Sequence, residues 1–149
     1  MTVTKDVLTD RYGTPDQAPP IMAQPMDANV KVYGGTVAIT RAGYVNPSDS
    51  PQSTDVVWGI VDKQTDNTNS SFYGGAQGAT TCPIDRGDFW LAYNGSMAQS
   101  NVGQSVYLYN ATTVTLTQGS LPLAGVVLAF DSTLSLVAVA LGTAAGTTF

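Results

Sequence analysis

Ser105-Val106-Tyr107-Leu108-Tyr109-Asn110-Ala111-Thr112-Thr113-Val114-Thr115-Leu116-Thr117 carries the strongest structural signal in the chain. Apolar and polar side chains alternate through Ser105–Tyr109 and again through Thr112–Thr117, and most of the apolar ones are β-branched or aromatic. A period of two with that composition is a strand with one face on a core. Asn110-Ala111 is short enough to close a tight connection, and Asn tolerates turn backbone, so the two runs read as a hairpin.

The same pattern extends outward in both directions. Downstream lie Gly125–Phe130 and Leu134–Leu141, which Asp131-Ser132-Thr133 can turn against each other as a second hairpin. Upstream lie Thr36–Thr40, Asp55–Val61 and Asp88–Tyr93, each bounded by Gly, Asn, Asp or Pro. No window shows a sustained helical stripe, and the lack of Glu removes the usual solvent face of an amphipathic helix. The 149 residues therefore predict one all-β domain, a small antiparallel β-barrel or sandwich with an extended N-terminal arm and long loops.

The arm is read at residues 1–30 and the body at 31–149. Pro15, Pro19, Pro20 and Pro25 fix φ and withhold backbone donors, which favours extended chain over helix or central strand. Val3, Val7, Leu8, Tyr12, Ile21 and Met22 give the arm apolar side chains that favour lying on another surface. The loops Asn46–Thr54 and Asp62–Thr81 are long for so small a domain, and such loops tend to be functional or to pack on something.

Charge is scarce and unevenly placed. Six Lys plus Arg and eleven Asp give a net charge of −5, and the charged fraction is 11%, against about 25% in ordinary soluble proteins. From Phe89 to Phe149 the only charged residue is Asp131. Outward positions there are Ser, Thr, Gln, Asn, Ala and Tyr, and charge depletion with aromatic enrichment marks the core of a protein–protein interface. Tyr107, Tyr109 and Phe149 are the expected subunit contacts, and a homo-oligomer is expected. The negative balance disfavours nucleic acid and anionic membranes, both of which require clustered cations.

With no His and no Glu, His-based triads, Cys–His pairs and zincin motifs are excluded. The lone Cys82 has neither an internal disulfide partner nor a His to deprotonate it, so it reads as a structural thiol. Asp62, Asp66, Asn67 and Asn69 gather oxygens but lack the Gly and Glu positions of a calcium loop. Asp85 and Asp88 flank Arg86-Gly87 and read as a turn with an ion pair, not a glycosidase dyad. Gly34-Gly35 and Gly74-Gly75 lack the sequel a phosphate cradle requires. Leu121–Leu141 approaches the length of a membrane span, but Pro122 opens it and Asp131-Ser132-Thr133 divides it. Neither an enzyme nor any cofactor or metal is expected. The N-terminal residues lack the apolar core of a secretory signal.

Three segments also carry a family likeness: Ser105–Ala111, Leu123-Ala124-Gly125-Val126-Val127-Leu128-Ala129, and Leu136-Val137-Ala138-Val139-Ala140-Leu141, with Val57-Trp58-Gly59-Ile60-Val61 matching an earlier Gly-Val strand. In order and spacing this resembles the small β-barrel head-decoration, or capsid cement, proteins of tailed bacteriophages. The resemblance implies a virion structural protein made in the host cytoplasm and added to the capsid exterior, commonly as a trimer. Its partner would be the major capsid protein, whose neighbouring subunits it would bridge, with the arm lying across an adjacent subunit. A phage tail, baseplate or receptor-binding fibre module is the alternative of the same class. A carbohydrate-binding β module using Trp58, Trp90 or Tyr93 is the alternative from another.

Overall fold

The computed structural model describes residues 2–12 and 21–142. The chain is all-β. Its strands are β1 (Ile21–Pro25), β2 (Val30–Val32), β3 (Val37–Arg41), β4 (Tyr44–Asn46), β5 (Val56–Val61), β6 (Thr65–Asn67), β7 (Thr81–Asp85), β8 (Gly87–Asn94), β9 (Ser105–Asn110), β10 (Thr113–Thr115), β11 (Leu123–Asp131) and β12 (Leu136–Leu141). Among the described residues the only helical turn is a 3₁₀ turn at Gln99–Asn101.

The last five strands close a barrel in the order β10-β8-β12-β11-β9. Both expected hairpins are present. β9 pairs antiparallel with β10, and β11 with β12. The turn at Asp131 is fixed by its own carboxylate, whose Oδ1 accepts from the amides of Thr133 at 2.9 Å and Leu134 at 3.1 Å. One pairing departs from the antiparallel pattern, since β10 runs parallel to β8 through Thr113↔Ala92, Val114↔Tyr93 and Thr115↔Asn94. Alternate residues fill the interior: Phe89 and Leu91 from β8, Val106 and Leu108 from β9, and Val137, Val139 and Leu141 from β12 are all buried.

The first strands make a second sheet in the order β1-β7-β5-β3-β4, whose two ends are drawn together by a parallel bridge between Met26 and Val45. A two-stranded ribbon, β2 with β6, lies beside it. The run Val37-Ala38-Ile39 is apolar throughout because β3 is buried on both sides. Val37 and Ile39 join Val57 and Ile60 against the barrel core, whereas Ala38 joins Val45, Val61, Ile84 and Met26 in a second cluster. Two-sided burial abolishes the alternation that a half-buried strand shows.

All seven strands read from the sequence are present. Of the residues read as the arm, 21–25 belong to the body's sheet and Val30 begins β2. β1 and β2 pair with β7 and β6. β7 accommodates Pro83 because that residue needs to supply only a carbonyl, which accepts the Asp62 amide at 3.0 Å. The apolar stretch Leu121–Leu141 forms most of the β11–β12 hairpin, and no helix among the described residues is long and apolar enough to cross a membrane.

Candidate functional site

The barrel wall formed by β9 and β11 presents a surface whose single charge is Asp131, at the turn end of β11. Tyr107 stands opposite Leu123 across their ladder. Leu123 is exposed, as is Tyr109, and Tyr107 is half-buried. Leu134, at the β11–β12 turn, is 66% exposed. Nothing on β9, β10 or β12 is ionisable except the two tyrosines, and Oδ1 of Asp131 is engaged by its turn. Phe149, the third expected subunit contact, lies outside the described residues.

An uncharged strand edge would invite pairing with other chains. Closure of the barrel removes that hazard, because every strand has a neighbour on each side. What the neutral half offers to a partner is therefore its side chains, and its backbone ladder is already occupied.

Residues 2–12 run along the body as a strap that joins its two parts. The Val3 amide donates to Asp49 Oδ1 at 2.8 Å and the Val7 amide to the Gly34 carbonyl at 2.8 Å. Asp6 Oδ1 accepts from the Gly34 amide at 2.7 Å, and Thr9 Oγ1 donates to the Gly35 carbonyl at 2.6 Å. The strap then reaches β8, where Trp90 N–H donates to Asp10 at 2.9 Å and Tyr12 N–H to Asp88 at 2.8 Å. It fits there because β10 pairs with β8 only from Ala92 onward, leaving the Asp88–Trp90 edge open on that side.

Gly34-Gly35 is thus the strap's seat. Gly35 has φ +83°, and a Cβ there would lie 1.8 Å from the Val7 carbonyl oxygen. Gly87, at φ +134°, leaves comparable room for Arg11, whose guanidinium lies 4.6 Å from the Phe89 ring centroid and donates to the Arg86 carbonyl at 3.0 Å. Of the six arm residues singled out in the sequence, Val3 is buried, Val7 is half-buried, and Met22 packs on the second apolar cluster. Tyr12 meets Trp90 edge-on at 5.3 Å. Leu8 and Ile21 face outward, at 90% and 59% exposure.

The titratable groups have structural surroundings. Burial pushes the Cys82 thiol up to about 11, with a hydrogen bond to Thr65 opposing, so its thiolate is scarce at neutral pH. Asp85 shares a hydrogen bond with Asp62 and not with Asp88. Burial first, and then that bond and the charge of Asp62, raise Asp85 to about 6, while Arg11 pulls the other way. Asp66 is held below the ordinary carboxylate range by the hydroxyl and amide of Thr68. Asn67 Nδ2 braces the loop by donating to the carbonyls of Asp27 and Ala76 at 2.8 and 2.9 Å, while its Oδ1 is buried without a hydrogen-bond partner.

The aromatics named for sugar binding are also engaged. Trp58 Nε1 donates to Thr40 Oγ1 at 2.8 Å and its ring packs on the second cluster. Tyr93 lies 6.1 Å from Phe130. The aromatics the sequence reading passed over are Phe72 and Tyr73, the former 96% exposed and both lining a cleft of about 600 Å³. An adjacent Phe-Tyr pair within a Gly- and Asn-rich polar loop was the available signal. Comparison with protein-family models, with curated proteins and with solved structures finds no match to this chain.

Proposed function

We propose that this is a non-catalytic structural protein that attaches to the outer surface of a tailed-phage capsid and cements neighbouring major-capsid subunits, as a homo-oligomer with a trimer favoured. The observation that carries the reading is the β9–β11 wall, neutral but for Asp131 at its turn end, with Tyr107, Tyr109 and Leu123 on it. Burying its neutral part strips no charge of its water, whereas an ionised surface would carry a desolvation penalty of several kcal/mol per unpaired ion. The capsid as partner comes from the sequence resemblance.

In this reading the strap is set by Val3, Val7 and Tyr12 against its own body, and the exposed Leu8 on the strap and Ile21 on β1 are the contacts with the shell. Many copies of a modest contact over one shell give avidity without any chemistry. The test is co-sedimentation of the full chain with capsids that lack it, alongside light scattering of the free protein. Saturable binding and an oligomer are expected, with Tyr109→Asp weakening attachment at least about tenfold, since a rim-to-core charge costs more than 1.4 kcal/mol when buried unpaired. A monomer at high concentration that ignores capsids overturns the reading, and copies found on the tail instead would assign the chain to that organelle.

A further inference from the structure

The long loop between β6 and β7 displays two aromatic rings to solvent and is built so that they stay there. Burying a Phe side chain is worth about 1.5–3 kcal/mol, yet Phe72 is 96% exposed, with Tyr73 edge-on at 5.3 Å and half exposed. The loop that carries them is braced on every side. Asn67 Nδ2 ties it to the Asp27 and Ala76 carbonyls, the Asn69 amide donates to Asn29 Oδ1 at 2.9 Å, and the Asn29 amide donates to the Gly75 carbonyl at 3.0 Å. Inside the loop, Ser71 N–H donates to the Thr68 carbonyl at 2.9 Å and Gly74 N–H to the Ser71 carbonyl at 3.2 Å. Rings held outward by a rigid support are arranged for recognition, because ordering costs have been met before any ligand arrives.

Beneath the rings lies the cleft of about 600 Å³, within the usual size range of ligand sites. Its polar lining includes Asp62, Lys63, Gln64, Asp66 and Ser71, opposite the exposed face of β1 and β7. Both carboxylates are already engaged, Asp62 with Asp85 and Asp66 with Thr68, so the cleft holds acceptors without a bare concentrated charge. Ser71 Oγ is shielded from solvent and makes no hydrogen bond in the chain. An anionic ligand would meet Asp62 and Asp66, and a cationic one would meet Lys63. A purely apolar ligand would leave this mixed lining unsatisfied. A pyranose suits all of it: one face is a patch of C–H groups that lies flat on an aromatic ring, and its rim is a set of hydroxyls that both donate and accept.

We propose that this cleft binds a neutral saccharide, with Phe72 as the stacking platform, Tyr73 beside it, and Asp62, Lys63 and Gln64 reading the hydroxyl rim. The site is separate from the barrel wall. The experiment presents the full chain with a panel of neutral α- and β-linked glucose, galactose and mannose oligosaccharides on an array, with titration calorimetry on any that bind. At least one should bind, and Phe72→Ala should weaken it about tenfold, the scale of one lost aromatic contact. Tyr73→Ala should weaken it less, and Leu134→Ala, an apolar change at an exposed position on the barrel, should leave it unaltered. Both loop variants keep their fold because the Phe72 ring is almost wholly solvated and the Tyr73 ring about half so. Failure of the whole panel, undiminished binding by Phe72→Ala, or equal loss in Leu134→Ala overturns the proposal. Loss of capsid attachment by Phe72→Ala, with no sugar bound, would make the cleft a protein contact and sink it likewise.

Discussion

The barrel of residues 87–141 and the sheet layer of residues 21–85 are both small β structures, but they use ionised side chains in opposite ways. The barrel holds only Asp88 and Asp131. Before it, carboxylates recur wherever a loop leaves amides without a ladder partner. Asp55 takes two bonds from Arg41, both at 2.8 Å, and one from the Gln52 amide at 2.8 Å. Asp27 is held below the ordinary carboxylate range by Asn46, then Gln77, then the Ala28 amide. Asp49 and Asp6 take amides of the strap and its seat. The barrel satisfies its ladder by closure, and its turns take their free amides on Asp131 and on the neutral Asn101 and Asn110. An open sheet with three short strands and long loops must supply acceptors from side chains.

This contrast breaks most sharply if core and brace are removed in turn. Leu108→Ala in the barrel should cost about 3–4 kcal/mol, the range for a fully buried leucine, and Arg41→Ala should cost about 3 kcal/mol by leaving the buried Asp55 carboxylate without its partner. Urea denaturation checks both. Because Val37, Ile39, Val57 and Ile60 belong to the barrel's core cluster, each variant should still unfold in a single transition. Separate transitions for the two regions would show that the shared core does not couple them.

Next in size is the strap seat. Gly35→Ala places a methyl where the Val7 carbonyl lies, at a backbone angle that disfavours any side chain, and should destabilise by about 2 kcal/mol. Amide exchange at Val7, Trp90 and Tyr12 should accelerate together, while exchange in β11 and β12 stays slow. Acceleration confined to Val7 would mean that the two ends of the strap are held independently.

The smallest effect is a pH dependence confined to the sheet layer. Asp85 titrates near 6 when folded and near its ordinary 3.8 when unfolded, so between those values the native state holds a proton that the unfolded chain has lost. Its contribution is fully present below about pH 4, declines as pH rises, and is gone above about 6. Asp85→Asn should therefore flatten the midpoint of thermal unfolding between pH 4 and 7. An unchanged slope would show that Asp62 and Asp85 do not share a proton.

Much of the barrel is legible in the residues because its strands are long enough to alternate and its turns are marked, Asn110-Ala111 and Asp131-Ser132-Thr133 above all. The sheet layer is less legible. β2, β4 and β6 have three residues each, too few to show a period, and β1 and β7 contain Pro25 and Pro83. Gly34-Gly35 could be seen only as a pair without a phosphate-binding sequel, since its purpose depends on a segment 28 residues away in the Gly34–Asp6 bond. Phe72 and Tyr73 were equally opaque, because no local pattern says whether a loop aromatic is buried or displayed.

What the amino-acid order determined alone is the all-β character, the two hairpins and the withdrawal of charge from the C-terminal half, all of which follow from local composition and spacing. Closure of the barrel, the parallel β8–β10 pair, the docking of residues 10–12 along Asp88–Trp90, and the exposure of Phe72 were decided by tertiary structure. Each depends on which backbone edges remain unfilled once distant segments have packed, and that is a property of the assembled chain.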